Sequence, residues 1–266
     1  MKELILIKLG GSLITDKTKP YTARPLVIKR LAKEVKYCWD KGFRFIISHG
    51  SGSFGHTSAA KYKTAAGISN KEGVYGLSVV QQDALTINRI VNKIFLKEEL
   101  PVLSFVPSSF SFAANGQLST LFVKPIIEAL EIDALPLVFG DVILDKVRGC
   151  CIFSGELTLD NLISPLIEAG YVVKRIIQVG KTNGVYDRRG KTISRIDNKN
   201  FADVKKKIWA SGVADVTGGM LHKIEESLKM ANKGIDCWIV NGGKKDILSK
   251  AILGEPICGT MVTKRL

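Results

Sequence analysis

Histidine, tryptophan and cysteine are sparse in this chain, at three, three and five in 266 residues. His49, His56 and His222 stand at no ligand spacing with the cysteines, so no dedicated protein metal site is expected. Cys38, Cys150, Cys151, Cys237 and Cys258 are odd in number and lack a C-x-x-C pair, which argues for reduced structural thiols rather than a disulfide framework. Long apolar runs are missing as well. The first residues, MKELILIKLGG, are too short in their apolar stretch for a signal sequence or a membrane span, and lack a small-residue cleavage site. A cytoplasmic protein is the expectation. No linker rich in Pro, Gly or Ser, no low-complexity tract and no repeat divides the chain, so residues 1–266 are expected to form a single domain. Acidic residues are the minority, 25 against 39 basic, and the formal net charge of +14 calls for an anionic partner. Basic residues are spread out, and the densest cluster, Lys205 to Lys207, has no aromatic interleaving of the kind that stacks bases. No specific nucleic acid is expected.

What is present alternates. Apolar runs of strand length at 4–9, 43–48, 101–105, 135–140, 173–179 and 237–241, with a short one at 260–264, are interspersed with helical patterns. The helical candidates are 26–39, 77–95, 157–169, 219–232 and 246–253. Such alternation makes crossover units, hence an α/β fold with a mainly parallel central sheet. Hairpins are expected at 141–153, where DKVRG interrupts short strands, and at 182–193.

Two glycine loops follow strand candidates. KLGGS, Lys8 to Ser12, puts two glycines, a charge and a hydroxyl at a strand end, where backbone amides can approach an anion. HGSGSFGH, His49 to His56, contains G-x-G-x-x-G but not in a dinucleotide context: Glu72 has about the right spacing for a ribose-binding acid, yet its surroundings do not form a strand. The other protein-kinase signatures and a Walker loop are missing. Two phosphate-handling turns on separate strands, with lysines nearby, suggest two phosphates held face to face, the arrangement of phosphoryl transfer.

Taken with GDV (140–142), SGE (154–156), NGVYD (183–187) and DVTGGMLHK (215–223), these loops resemble the amino-acid-kinase superfamily over nearly the whole chain. KLGGSLITDK, GSFGH and PSSF (107–110) resemble in particular its isopentenyl phosphate kinase subfamily, with features partly shared by fosfomycin kinases. The resemblance implies an open αβα sandwich with an N-terminal acceptor lobe, 1–170, and a C-terminal ATP lobe, 171–266. It also implies a homodimer, and direct transfer from ATP to isopentenyl phosphate with Mg²⁺ held mainly by ATP oxygens. Another small phosphate or phosphonate acceptor, and a non-catalytic regulatory or nucleic-acid-binding protein, remain as alternatives.

The same resemblance assigns roles. Lys8, Lys17 and His56 are the catalytic candidates. Ser51, His56, Gly140 and Asp141 are expected at the acceptor, Gly140 offering its amide and Asp141 orienting lysines. Lys8, Gly10, Gly11, Ser12, Gly52, Lys181, Gly218, Gly219 and Lys223 are expected around ATP, with Gly218 and Gly219 at a helix start. Glu156 stands where relatives have aspartate, and Lys181 and Asn183 depart from the pattern at the adenosine end. The apolar stripe of 77–95 is mostly core. Part of it, with Phe105, Phe110 and Phe112, is expected to line a hydrocarbon pocket.

Overall fold

The computed structural model describes residues 2–209 and 214–264, with the backbone alone at 207, 209 and 214–219. The chain opens with β1 (Lys2–Leu9), a single helical turn α1 (Gly11–Ile14), α2 (Pro25–Trp39) and β2 (Phe45–His49). Two helices follow, α3 (Gly52–Tyr62) and α4 (Lys71–Lys97), then β3 (Val102–Ser104), α5 (Pro107–Phe110), the hairpin β4 (Ser111–Ala114) and β5 (Gln117–Leu121), and α6 (Lys124–Glu131). The middle of the chain holds β6 (Leu135–Phe139), the hairpin β7 (Asp141–Asp145) and β8 (Gly149–Phe153), and α7 (Gly155–Glu168). The remainder comprises β9 (Tyr171–Gly180), β10 (Val185–Tyr186), β11 (Thr192–Ile193), β12 (Arg195–Ile196), α8 (Phe201–Trp209), α9 (Ala214–Asn232), β13 (Asp236–Asn241), α10 (Ile247–Leu253) and β14 (Gly259–Val262).

Eight strands form one sheet in the order β12-β14-β13-β9-β1-β2-β6-β3, and every neighbouring pair except β13 with β14 is parallel. The two-residue period of a strand then sorts β1 into two cores. Ile5, Ile7 and Leu9 pack under α2, α4 and α10, whereas Leu4 and Leu6 pack under α6, α7, α8 and α9. The product is an αβα sandwich: the alternating pattern accounts for the α/β class with its mainly parallel sheet, and the layering is the one the family resemblance implied. The β4–β5 and β7–β8 hairpins make a separate four-stranded sheet, in which Asp145 holds the turns by accepting from the amides of Asn115, Gly116, Val147 and Arg148.

Three differences from the sequence expectation have local causes. Helix α4 begins at Lys71, not residue 77, because the Asn70 side chain caps it by accepting from the Gly73 amide. Gly73 and Gly76 weaken the helical pattern in this turn, yet Gly76 is needed there: a Cβ would collide with Tyr62 of α3. The β4–β5 hairpin went unforeseen because its strands bury few side chains and show no clean alternation. Helix α9 starts at Ala214, so Gly218 and Gly219 lie inside it rather than at its start; their surroundings fall outside the described residues.

Candidate functional site

The carboxyl ends of β1, β2, β6 and β9 open into one cavity of about 760 Å³. Parallel sheets place ligands there because the loops after neighbouring strands diverge and leave a crevice. β1 sits at the centre, its neighbours β2 and β9 on either side, so the loops after all three converge.

Lys8 is the next residue in the Leu4–Leu6 row, which puts its side chain on the α7 face of the sheet. It is 8% exposed and ion-paired with Glu156, the second residue of α7, whose start is capped by Ser154 accepting from the Leu157 amide. Lys223 of α9 lies 4.0 Å from the same carboxylate. Burial pushes Glu156 up, but the two lysines outweigh it and hold the group below the ordinary glutamate range. Lys223 is lowered by burial and then by Lys8, with Glu156 opposing. Glu156 thus gathers two lysines that would otherwise repel one another.

The two glycine loops touch. Gly10 and Gly50 donate to the carbonyls of Val179 and Leu9 at 2.8 and 3.1 Å, which pins each loop to the neighbouring strand. Gly11 and Ser12 begin α1 and Gly52 begins α3, so their amides have no acceptor within the helix, and all three residues line the cavity. A Cβ on Gly11 would lie 2.7 Å from the Gly52 nitrogen, and Gly52 itself has φ +55°. Only glycines permit this approach.

His56 is on α3, one turn past the second loop, with its ring open to the cavity. Desolvation by the cavity wall, then the charges of Lys17 and Lys8, pull its pKa below the ordinary value. His49, at the end of β2, is wholly buried and stacked on Phe139. Burial lowers its pKa to about 4, so it is a neutral core histidine, with Asn88 3.2 Å from Nε2.

The cavity brings together Lys8, Gly10, Gly11, Ser12, Lys17, Ser51, Gly52, His56, Gly140, Asp141, Lys181 and Lys223. Gly218 and Gly219 lie in the backbone of α9, and what surrounds them falls outside the described residues. Two assigned roles need correction. The Gly140 amide is not free for a ligand, since it donates to the His49 carbonyl at 2.8 Å. Asp141 orients no lysine: its two oxygens accept from the Ser108 amide at 3.0 Å and the Val142 amide at 2.8 Å, and burial raises its pKa despite them.

The apolar wall differs most from expectation. It is made by Ala59 and Ala60 of α3, Ala65, Val80 and Ala84 of α4, and Ile152 of β8. Val80 and Ala84 belong to the stripe foreseen, one turn apart on one face. Phe105, Phe110 and Phe112 do not line it: the first two pack against the core beneath α6 and α7, and Phe112 points outward at 36% exposure. Alanines carry too weak a signal to be picked out in sequence, but SAAKYKTAA is dense in them. Gln178 and Ile239, also unforeseen, reach the cavity from β9 and β13, on the Lys8 face.

A profile of the amino acid kinase family matches residues 3–241. Isopentenyl phosphate kinase of Methanothermobacter thermautotrophicus is 32% identical over 98% of this chain and 99% of its own length. The enzyme of the same name from Methanocaldococcus jannaschii is 31% identical over 95% and 96%. Among solved structures, one described as X-ray structures of isopentenyl phosphate kinase superposes with a TM-score of 0.80 at 28% identity, covering 97% of this chain and 99% of that one.

Proposed function

The chain belongs to the amino acid kinase family, and on that premise we propose that it transfers the terminal phosphoryl group of ATP to isopentenyl phosphate, giving isopentenyl diphosphate and ADP. One observation carries the acceptor assignment: a single cavity joins a cationic end, with Lys8, Lys17, His56 and Lys223, to a wall of alanine, valine and isoleucine. The first suits two phosphates and the second a short hydrocarbon tail. Burying that tail is worth about 0.8 kcal/mol per methylene. A small polar phosphonate such as fosfomycin would leave the wall uncovered.

An oxygen of the acceptor phosphate attacks the γ-phosphorus as the bond to the β,γ-bridging oxygen breaks. That oxygen is already anionic, so no general base is required. Catalysis is then placement and charge neutralisation. Lys8, held by Glu156, meets the transferring group from the sheet. Lys17 meets it from the opposite rim, Lys223 takes the β- and γ-phosphates, and His56 with Ser51 takes the acceptor phosphate. The amides of Gly11, Ser12 and Gly52 face donor oxygens, with Lys181 beyond them. In this reading residues 1–170 serve the acceptor and 171–266 the nucleotide. Among the described residues no three His, Cys, Asp or Glu side chains cluster as a cation cage, which suits Mg²⁺ arriving on ATP oxygens and supplying charge neutralisation there.

The test is ATP consumption against isopentenyl phosphate, fosfomycin, UMP and acetylglutamate, in the wild type and in Ile152→Asp. The wild type should turn over isopentenyl phosphate best. Ile152→Asp, a charge on an exposed strand position of the apolar wall, should raise KM for that acceptor about tenfold or more while leaving KM for ATP in place. Preference for a polar acceptor, or an unaltered KM in the variant, would overturn the assignment.

A further inference from the structure

The segment that carries Lys17 is a strap. Thr15 pairs antiparallel with Ala23, the Asp16 amide donates to the Thr22 carbonyl at 2.8 Å, and the Arg24 amide to the Ile14 carbonyl at 2.7 Å. Beyond this foot the strap leans across to α3. The Thr22 amide donates to Ser53 Oγ at 3.2 Å, and Tyr21 donates to the Ser53 carbonyl at 3.4 Å. Tyr21 has φ +52°, a conformation that costs a non-glycine residue about 1–2 kcal/mol. Backbone geometry alone would favour glycine here, so the tyrosine side chain must offset the cost. Its ring stands edge-on to Phe54 of α3, centroids 5.9 Å apart at 82°. The residue is half-exposed, and partial burial and then the charge of nearby Asp83 raise the pKa of its hydroxyl. Asp83 Oδ2 is buried with no hydrogen-bond partner among the described residues.

Lys17 itself makes no hydrogen bond or ion pair among the described residues, although it lines the cavity. Its charge acts on His56, Lys223 and Lys181, all of which it lowers. Before the phosphates arrive, a lysine on four rotatable bonds is repelled by Lys8 and Lys223 and attracted by water. Only the backbone beneath it keeps it near the reaction. The foot joins both ends of that backbone, Asp16 closes the turn around Lys17 by accepting from the Thr18 amide at 3.0 Å and hydroxyl at 2.8 Å, and Tyr21 with Thr22 holds the whole strap against α3.

We infer that Tyr21 is a positioning residue for phosphoryl transfer: its ring on Phe54 and its amide on the Ser53 carbonyl clamp the strap onto α3, which delivers the Lys17 ammonium to the transferring group. This rests on the kinase reading above. Phe54 lies on the helix that also carries His56, Ala59 and Ala60 into the cavity, so the clamp ties the position of Lys17 to that of the acceptor.

Steady-state kinetics with ATP and isopentenyl phosphate on Tyr21→Ala, Lys17→Ala and the double variant, with hydrogen exchange over residues 16–23, tests it. Tyr21→Ala should lower kcat about tenfold or more with KM for ATP changed by less than about twofold. Exchange in the strap should rise in Tyr21→Ala, whereas Tyr21→Phe, which keeps the ring and the backbone contact, should hold both kcat and strap exchange close to the wild type. In the Lys17→Ala background, Tyr21→Ala should lower kcat by less than about twofold further, because its effect runs through the lysine. Full additivity, or unchanged strap exchange in Tyr21→Ala, overturns the inference, as does wild-type turnover in Lys17→Ala. A wild type inert toward isopentenyl phosphate would instead sink the acceptor assignment, and the exchange result would then decide the clamp.

Discussion

Lys8 shows how a single residue can be legible as to type and hidden as to role. A lysine in an apolar strand followed by two glycines points to an anion in the sequence itself. That it sits buried against Glu156, and shares that carboxylate with Lys223 more than two hundred positions away, depends on α7 and α9 landing on one face of β1. Gly140 runs the other way, since its amide is already bonded to the neighbouring strand. His56 yields a test at this scale. In the free protein its pKa is lowered by desolvation, Lys17 and Lys8. An acceptor phosphate beside it adds negative charge and raises the pKa. Between the free-state and bound-state values binding must take up a proton, and acceptor affinity must weaken as pH rises through the bound-state value. Calorimetry in buffers of differing ionisation enthalpy should show this uptake in the wild type and not in His56→Ala. Equal uptake in both would remove His56 from the acceptor site.

Elements are where the two glycine loops acquire meaning. β1 and β2 are adjacent and parallel, Leu9 beside His49, so the loops that follow are forced against one another. Gly52 meets that crowding with φ +55°, and an added Cβ would lie 2.7 Å from the Gly11 carbonyl oxygen. Gly42 offers a control: its φ is +90°, but nothing lies within 4 Å of an added Cβ. Gly42→Ala should lose about 1–2 kcal/mol of stability to backbone strain alone, and Gly52→Ala more, because its Cβ also meets the Thr15 side chain and the Gly11 carbonyl; urea midpoints read both. Only Gly52→Ala should also lose about 100-fold in kcat, because it parts the loops. Equal kcat in the two variants would show that the loop contact is structural only. The same scale explains what periodicity missed. The strands of the β4–β5 hairpin are too exposed to alternate cleanly, and the first turn of α4 is disguised by two glycines, one of them demanded by Tyr62.

For the whole molecule the excess of basic side chains becomes a field. With a net charge of +14, association with ATP should be accelerated at low ionic strength. Stopped-flow binding rates should fall about tenfold as the Debye length shrinks from about 30 to about 8 Å. A flat profile would mean that the local lysines, not the global charge, govern capture. The alternation of strand and helix and the two-residue period within β1 are written locally, so the α/β class with a mainly parallel sheet, the glycine loops and the cationic residues at their ends were legible from the chain alone. The tertiary structure alone decided which cations share a carboxylate, which glycine amides remain available, and that alanines from α3 and α4 rather than phenylalanines form the apolar wall. Those are outcomes of strand order and helix packing between distant segments, which no local pattern encodes.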